Sequence, residues 1–122
     1  MAKVLVVDDS AFMRKMMKDI VTDLGISDIV EADTGEMAVD KFEQETPDVV
    51  LLDLILPSMN GDKVLEQILG IDNTAKVIMA TAVGQEDVME KCLDTGAKSY
   101  IVKPFDKEKV EAELKKYLYY LL

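Results

Sequence analysis

Asp8, Asp9, Asp53, Thr81 and Lys103 carry carboxylate, hydroxyl and ammonium groups at matching places along this chain. Each closes a short apolar run: Val4-Leu5-Val6-Val7 ends in Asp8-Asp9, Val49-Val50-Leu51-Leu52 in Asp53, Met79-Ala80 in Thr81, and Ile101-Val102 in Lys103. Such runs read as buried strands, so their polar ends should gather at one edge of a sheet. Carboxylates crowded there repel one another, and burial raises the cost unless a cation binds or a proton is taken up. The candidate ligands are all oxygen, because the chain has no histidine and its single cysteine, Cys92, lies elsewhere. A hard ion such as Mg²⁺ therefore suits the cluster better than zinc. With the metal and Lys103 neutralising charge and Thr81 donating a hydrogen bond, a carboxylate oxygen could attack phosphorus in line and form an aspartyl phosphate.

The elements that must position these residues alternate along the chain. Strands are expected at Lys3 to Val7, Asp28 to Ala32, Val49 to Leu52, Lys76 to Ala80 and Ser99 to Val102. The second run, Asp28-Ile-Val-Glu-Ala, is partly polar and reads as an edge. Helices are expected over Ala11 to Leu24, capped by Ser10 and closed by Gly25, and over Gly35 to Gln44, with Met37, Ala38 and Phe42 as the apolar stripe. A third runs from about Asp62 to Leu69, a fourth from about Glu86 to Asp94, and a fifth from Lys107, capped by Asp106, to about Leu121. Alternation of this kind signals a parallel sheet with right-handed crossover helices on both faces. Met13, Met16, Met17 and Cys92 are expected to be packing residues, and the apolar tail from Tyr117 to Leu122 either packs or offers a partner surface.

Composition narrows the function. At 122 residues the chain fits one domain. Fourteen basic against 24 acidic residues give a net charge of -10, which opposes binding to nucleic acid or an anionic membrane. No apolar run approaches the roughly 20 residues that span a bilayer. Met1-Ala2-Lys3-Val4 enters a strand at once, without the pattern of a secretory leader, so a cytoplasmic location is expected.

The ordered set Asp8-Asp9, Asp53, Leu56-Pro57-Ser58-Met59-Asn60-Gly61, Thr81-Ala82 and Lys103-Pro104-Phe105 resembles the receiver domains of two-component response regulators over essentially the whole chain. The resemblance implies an α/β, flavodoxin-like (βα)5 fold, a doubly wound five-stranded parallel sheet whose order, 2-1-3-4-5, the family supplies. It implies a single receiver domain over residues 1–122 that takes a phosphoryl group from a histidine kinase onto Asp53. Asp9, Asp53 and the backbone carbonyl of Ile55 would coordinate Mg²⁺, with Asp8 acting mainly through bound water. Thr81 would contact the phosphoryl group and Lys103 would pair with it, and the Lys103–Pro104 peptide would be cis. Tyr100 matches the aromatic switch position, whose ring moves inward as Thr81 shifts, coupling the site to a face of the fourth helix, fifth strand and fifth helix. Ile55 and Val83 match positions that tune phosphate lifetime in that family, and neither side chain can orient water by hydrogen bonding. Self-dephosphorylation should be slower than with Asn at 55 and Glu at 83.

A stand-alone receiver most like the chemotaxis CheY group is the preferred function, a self-phosphorylating switch rather than a turnover enzyme. Its partners would be a CheA-like histidine kinase, a motility switch or adaptor downstream, and a phosphatase. Glu86, Asp87, Glu90 and Asp94 against Lys91 make the fourth helix acidic, which favours a basic partner. A phosphorelay receiver is the alternative. A haloacid-dehalogenase-like phosphatase would need an acid where Ile55 stands, and a flavodoxin-type binder would not place Asp8-Asp9 against a phosphate.

Overall fold

The computed structural model describes residues 2–119. Strand and helix alternate as β1 (Lys3–Val7), α1 (Ala11–Asp23), β2 (Asp28–Ala32), α2 (Gly35–Glu45), β3 (Val49–Asp53), α3 (Gly61–Ile71), β4 (Val77–Thr81), α4 (Glu86–Thr95), β5 (Ser99–Val102) and α5 (Lys107–Leu118). The strands form one parallel sheet in the order β2-β1-β3-β4-β5, the flavodoxin-like arrangement expected.

Local chemistry sets the helix ends. Ser10 Oγ accepts from the Met13 N–H at 3.2 Å, Thr34 Oγ1 from the Met37 N–H at 3.1 Å and Asp106 Oδ1 from the Glu108 N–H at 3.0 Å. Each cap occupies an amide that the first helical turn leaves without a partner. Beyond α1, Gly25 takes φ 89° and returns its N–H to the Thr22 carbonyl at 2.9 Å. That left-handed step favours glycine.

Alternation along the strands divides the core into two layers. Leu5, Val7, Val50, Leu52, Val77 and Met79 meet Ala38 and Phe42 of α2, Val64, Leu65 and Ile68 of α3, and Met89 and Cys92 of α4. Val4, Val6, Leu51, Ile78, Ala80 and Ile101 meet Met17, Ile20 and Val21 of α1 and Val110, Leu114 and Leu118 of α5. Each fully buried aliphatic side chain contributes about 2 kcal/mol of transfer free energy. The three central strands β1, β3 and β4 are therefore the rigid floor on which the polar edge stands.

The structure departs from the sequence pattern in a few places. β3 and β4 each run one residue past the apolar stretch, taking in Asp53 and Thr81, because the ladder continues: Leu54 N–H donates to the Ala80 carbonyl at 3.0 Å and Lys103 N–H to the Thr81 carbonyl at 2.7 Å. Met37 does not join the buried stripe of α2. It is 40% exposed, because Ala38, Val39 and Phe42 turn toward the sheet and carry Met37 to the solvent side. Of the α1 methionines only Met17 is buried, while Met13 and Met16 are half-buried. At the end of α5, Leu118 is buried, Tyr117 donates its hydroxyl to the Lys98 carbonyl at 3.4 Å, and Tyr119 is exposed. Tyr120, Leu121 and Leu122 lie outside the described residues. Cys92 packs inside, and burial pushes its thiol pKa up, which opposes thiolate reactivity. Among the described residues no helix is long and apolar enough to cross a membrane.

Candidate functional site

The site grows from the register of the central strands. Val7 pairs with Leu52, so the next residues, Asp8 and Asp53, leave the sheet side by side. Asp53 in turn pairs with Ala80, one residue before Thr81, and Thr81 pairs with Val102, one residue before Lys103. Asp8 and Asp53 follow the parity of Val6 and Leu51 and so emerge on the α1/α5 side of the sheet, as does Lys103 after Ile101.

There the Lys103 ammonium bridges two acids, standing 3.0 Å from Asp8 Oδ2 and 3.0 Å from Asp53 Oδ1. Asp8 and Asp53 are buried, at 3% and 6% exposure, whereas Asp9 is exposed. One carboxylate oxygen from each of Asp8, Asp9 and Asp53 lies within 4.8 Å of the other two. Burial pushes the Asp53 pKa above its ordinary value, the Asp8 and Asp9 charges push the same way, and the hydrogen bond from Lys103 only partly opposes them. For Lys103 burial alone would lower the pKa, but its bonds to Asp53 and Asp8 more than offset that and hold it charged. One ammonium among three carboxylates leaves a deficit of positive charge. Three convergent oxygen donors with no nitrogen or sulfur fit a hard divalent cation such as Mg²⁺.

The loop after β3 is held hard against the end of that strand. Gly61 N–H donates to the Leu54 carbonyl at 2.6 Å, and Asn60 Oδ1 accepts from the Leu56 N–H at 3.2 Å. A Cβ on Gly61 would run into the Asp53 carbonyl oxygen and lie 2.9 Å from Leu54 Cα, so only glycine lets α3 begin there. Ser58, at φ 67°, makes the left-handed turn between them.

Thr81 is buried and donates its hydroxyl to the Ala82 carbonyl at 3.3 Å. The Lys103–Pro104 peptide is cis. Tyr100 is half-buried and packs against the core layer under α2, α3 and α4. It also lines a cavity of about 420 Å³ between β5 and α5, with Val102, Lys109, Glu113 and Lys116. Ile55 and Val83 flank the acids from the loops after β3 and β4, at 60% and 76% exposure.

Arg14 is a residue that the motif pattern does not single out. Its Nη1 donates to the Asp8 carbonyl at 2.7 Å and its Nε to Glu31 Oε1 at 3.1 Å, while Lys18 Nζ reaches Glu31 Oε2 at 3.0 Å. The signal in the sequence was Glu31 itself, an acid inside an otherwise apolar stretch of β2.

Comparison with known proteins agrees with this architecture. The family model for the response regulator receiver domain matches residues 4–115. The chemotaxis protein CheY of Thermotoga maritima is 43% identical over 114 residues, covering 93% of this chain and 95% of that protein. The CheY of Halobacterium salinarum is 41% identical over 112 residues, covering 90% and 92%. Among solved structures, a CheX–CheY–BeF3–Mg²⁺ complex from Borrelia burgdorferi superposes with a TM-score of 0.90 at 40% identity, covering 94% of this chain and 87% of that one. By its fold, its match over residues 4–115 and its CheY-like relatives, the chain belongs to the response regulator receiver family, whose members are phosphoryl-accepting switches of two-component signalling.

Proposed function

We propose that Asp53 is the phosphoryl acceptor of this receiver and that Asp8, Asp9, Asp53 and the Ile55 carbonyl hold Mg²⁺ while it reacts, with Asp8 acting through water. The observation that carries the proposal is the buried Asp53 carboxylate, whose pKa is raised by burial and two neighbouring acids and which a single lysine leaves undercompensated. An Asp53 oxygen forms the new bond to phosphorus as the P–N bond to a donor histidine breaks, and the released imidazole nitrogen takes a proton. The donor must be another protein, because this chain has no histidine. Bound Mg²⁺ would neutralise charge shared between the carboxylates and the phosphoryl oxygens.

Lys103 then exchanges its Asp53 contact for a phosphoryl oxygen. Thr81, whose hydroxyl now rests on the Ala82 carbonyl, turns to the phosphoryl group. Tyr100 moves inward in response, altering the surface of α4, β5 and α5. The exposed acids Glu86, Asp87, Glu90 and Asp94 of α4 suit a basic partner there. We place a CheA-like histidine kinase upstream and a motility switch or adaptor downstream, with the residues 1–122 acting as a single receiver domain in the cytoplasm. The relative solved as a CheX–CheY complex supports a further protein partner, and a phosphatase is the role we give it. Ile55 and Val83 present no hydrogen-bonding side chain to an attacking water, which favours a long-lived phosphate.

Incubation with phosphoramidate and Mg²⁺, followed by mass spectrometry, tests the acceptor. The wild type should gain one phosphoryl group and Asp53→Asn none, and labelling that survives in the variant sinks the assignment. Decay of the phosphate should quicken in an Ile55→Asn, Val83→Glu double variant.

A further inference from the structure

Asp8 and Asp9 are fixed in different ways. Every polar group of Asp8 has a partner: its N–H donates to the Ala32 carbonyl at 3.2 Å, its carbonyl accepts from Arg14 at 2.7 Å, and its carboxylate accepts from the Ser10 N–H at 2.9 Å and from Lys103 at 3.0 Å. The Asp9 carboxylate accepts no hydrogen bond from the described residues and is exposed. Its place in the triad therefore depends on the backbone that carries it. That backbone is the Asp8–Asp9 peptide, whose oxygen is the atom Arg14 holds.

Arg14 can hold it because it is itself braced. It stands on the first turns of α1, its side chain is only 19% exposed, and its planar fork divides between the peptide oxygen and Glu31. Glu31 is tied to β2 and is steadied in turn by Lys18, one helical turn beyond Arg14. The chain of contacts thus runs from the edge strand, through α1, to the peptide between two acids of the site. None of Arg14, Glu31 and Lys18 lies in the acid triad.

We propose that Arg14, braced by Glu31 and Lys18, is a positioning residue for the cation site: it fixes the Asp8–Asp9 peptide so that the otherwise untethered Asp9 carboxylate is presented with those of Asp8 and Asp53. This rests on the Mg²⁺ role given to the triad above. Loss of Arg14 frees the peptide to rotate, and part of the binding energy is then spent on re-ordering Asp9.

The test is Mg²⁺ titration by calorimetry on unphosphorylated wild type, Arg14→Met, Arg14→Lys and Lys107→Met, at a temperature where all are folded. Lys107→Met breaks the 2.7 Å ion pair to Asp23 at the far end of the same helix and serves as the control for general loosening of α1. Arg14→Met should bind Mg²⁺ about tenfold more weakly. Arg14→Lys, which can reach the peptide oxygen but cannot also hold Glu31, should recover part of that loss, and Lys107→Met should match the wild type. Arg14→Met binding within about twofold of the wild type overturns the proposal, as does an equal loss in Lys107→Met. Should Arg14→Met not fold, Arg14→Gln, which is also too short to hold both the peptide oxygen and Glu31, takes its place under the same criterion. Failure of the wild type itself to bind Mg²⁺ would instead overturn the underlying metal role.

Discussion

Two carboxylates of this protein face lysine at hydrogen-bond distance and behave oppositely. Asp53 sits 3.0 Å from Lys103 and its pKa is raised, chiefly by burial, with Asp8 and Asp9 adding to the rise. Glu31 sits 3.0 Å from Lys18 and its pKa is lowered, first by that hydrogen bond, with Arg14 helping and burial opposing. Contact distance does not separate them. What separates them is solvent and the tally of neighbours: in the pocket one ammonium serves several acids away from water, while on the edge strand two cations serve one acid at the surface. The edge cluster is satisfied and holds structure together. The pocket is left short of positive charge, and that shortage suits it to a divalent cation.

Removing the lysine from each cluster is the strongest way to break the contrast. Without Mg²⁺ at neutral pH, Lys103→Met should destabilise the protein by about 3 kcal/mol, because it strands buried carboxylates. Lys18→Met should change stability by no more than about 0.5 kcal/mol, since solvent screens an exposed pair and Arg14 remains on Glu31. Urea unfolding of both variants checks this, and equal losses would mean that burial does not distinguish the two sites.

A smaller effect comes from the backbone beneath the pocket. Gly61→Ala drives a Cβ into the Asp53 carbonyl and should cost about 2 kcal/mol, with slower phosphorylation as the acceptor shifts. Gly70→Ala, in the same helix but with open space around it, should gain about 0.5 kcal/mol. Thermal melts that rank the two the other way would show that the Gly61 approach relaxes freely.

The finest distinction is in pH. The native pKa of Asp53 lies above its ordinary 3.8, so its ionised form disfavours the folded state. That penalty is complete above the native pKa and vanishes below 3.8. Asp53→Asn should therefore melt above the metal-free wild type at neutral pH, with the gain fading on acidification. Glu31 works the other way: its native pKa lies below 4.5, so it stabilises fully above 4.5 and loses that contribution as pH falls through the native pKa. Glu31→Gln should melt slightly below the wild type at neutral pH and converge with it in acid. Shifts of the same sign in the two variants would erase the contrast.

The order of residues carried the alternation of strand and helix, the caps at Ser10 and Asp106, and the arrival of Asp8, Asp9, Asp53, Thr81 and Lys103 at one sheet edge, because these follow from local periodicity and from strand direction. It also carried Gly61 in a recognisable segment but not the reason for it, which is the approach of the α3 start to the Asp53 carbonyl. Only folding shows that Met37 faces solvent, that Lys103 pairs with Asp8 as well as Asp53, and that Arg14 joins the edge strand to the acid loop. These contacts join residues whose separation in sequence carries no periodic signal: Arg14 meets Glu31 across 17 positions and Lys103 meets Asp8 across 95. Their strength is set by burial and by the number of charges sharing one space, quantities that exist only once the chain has folded.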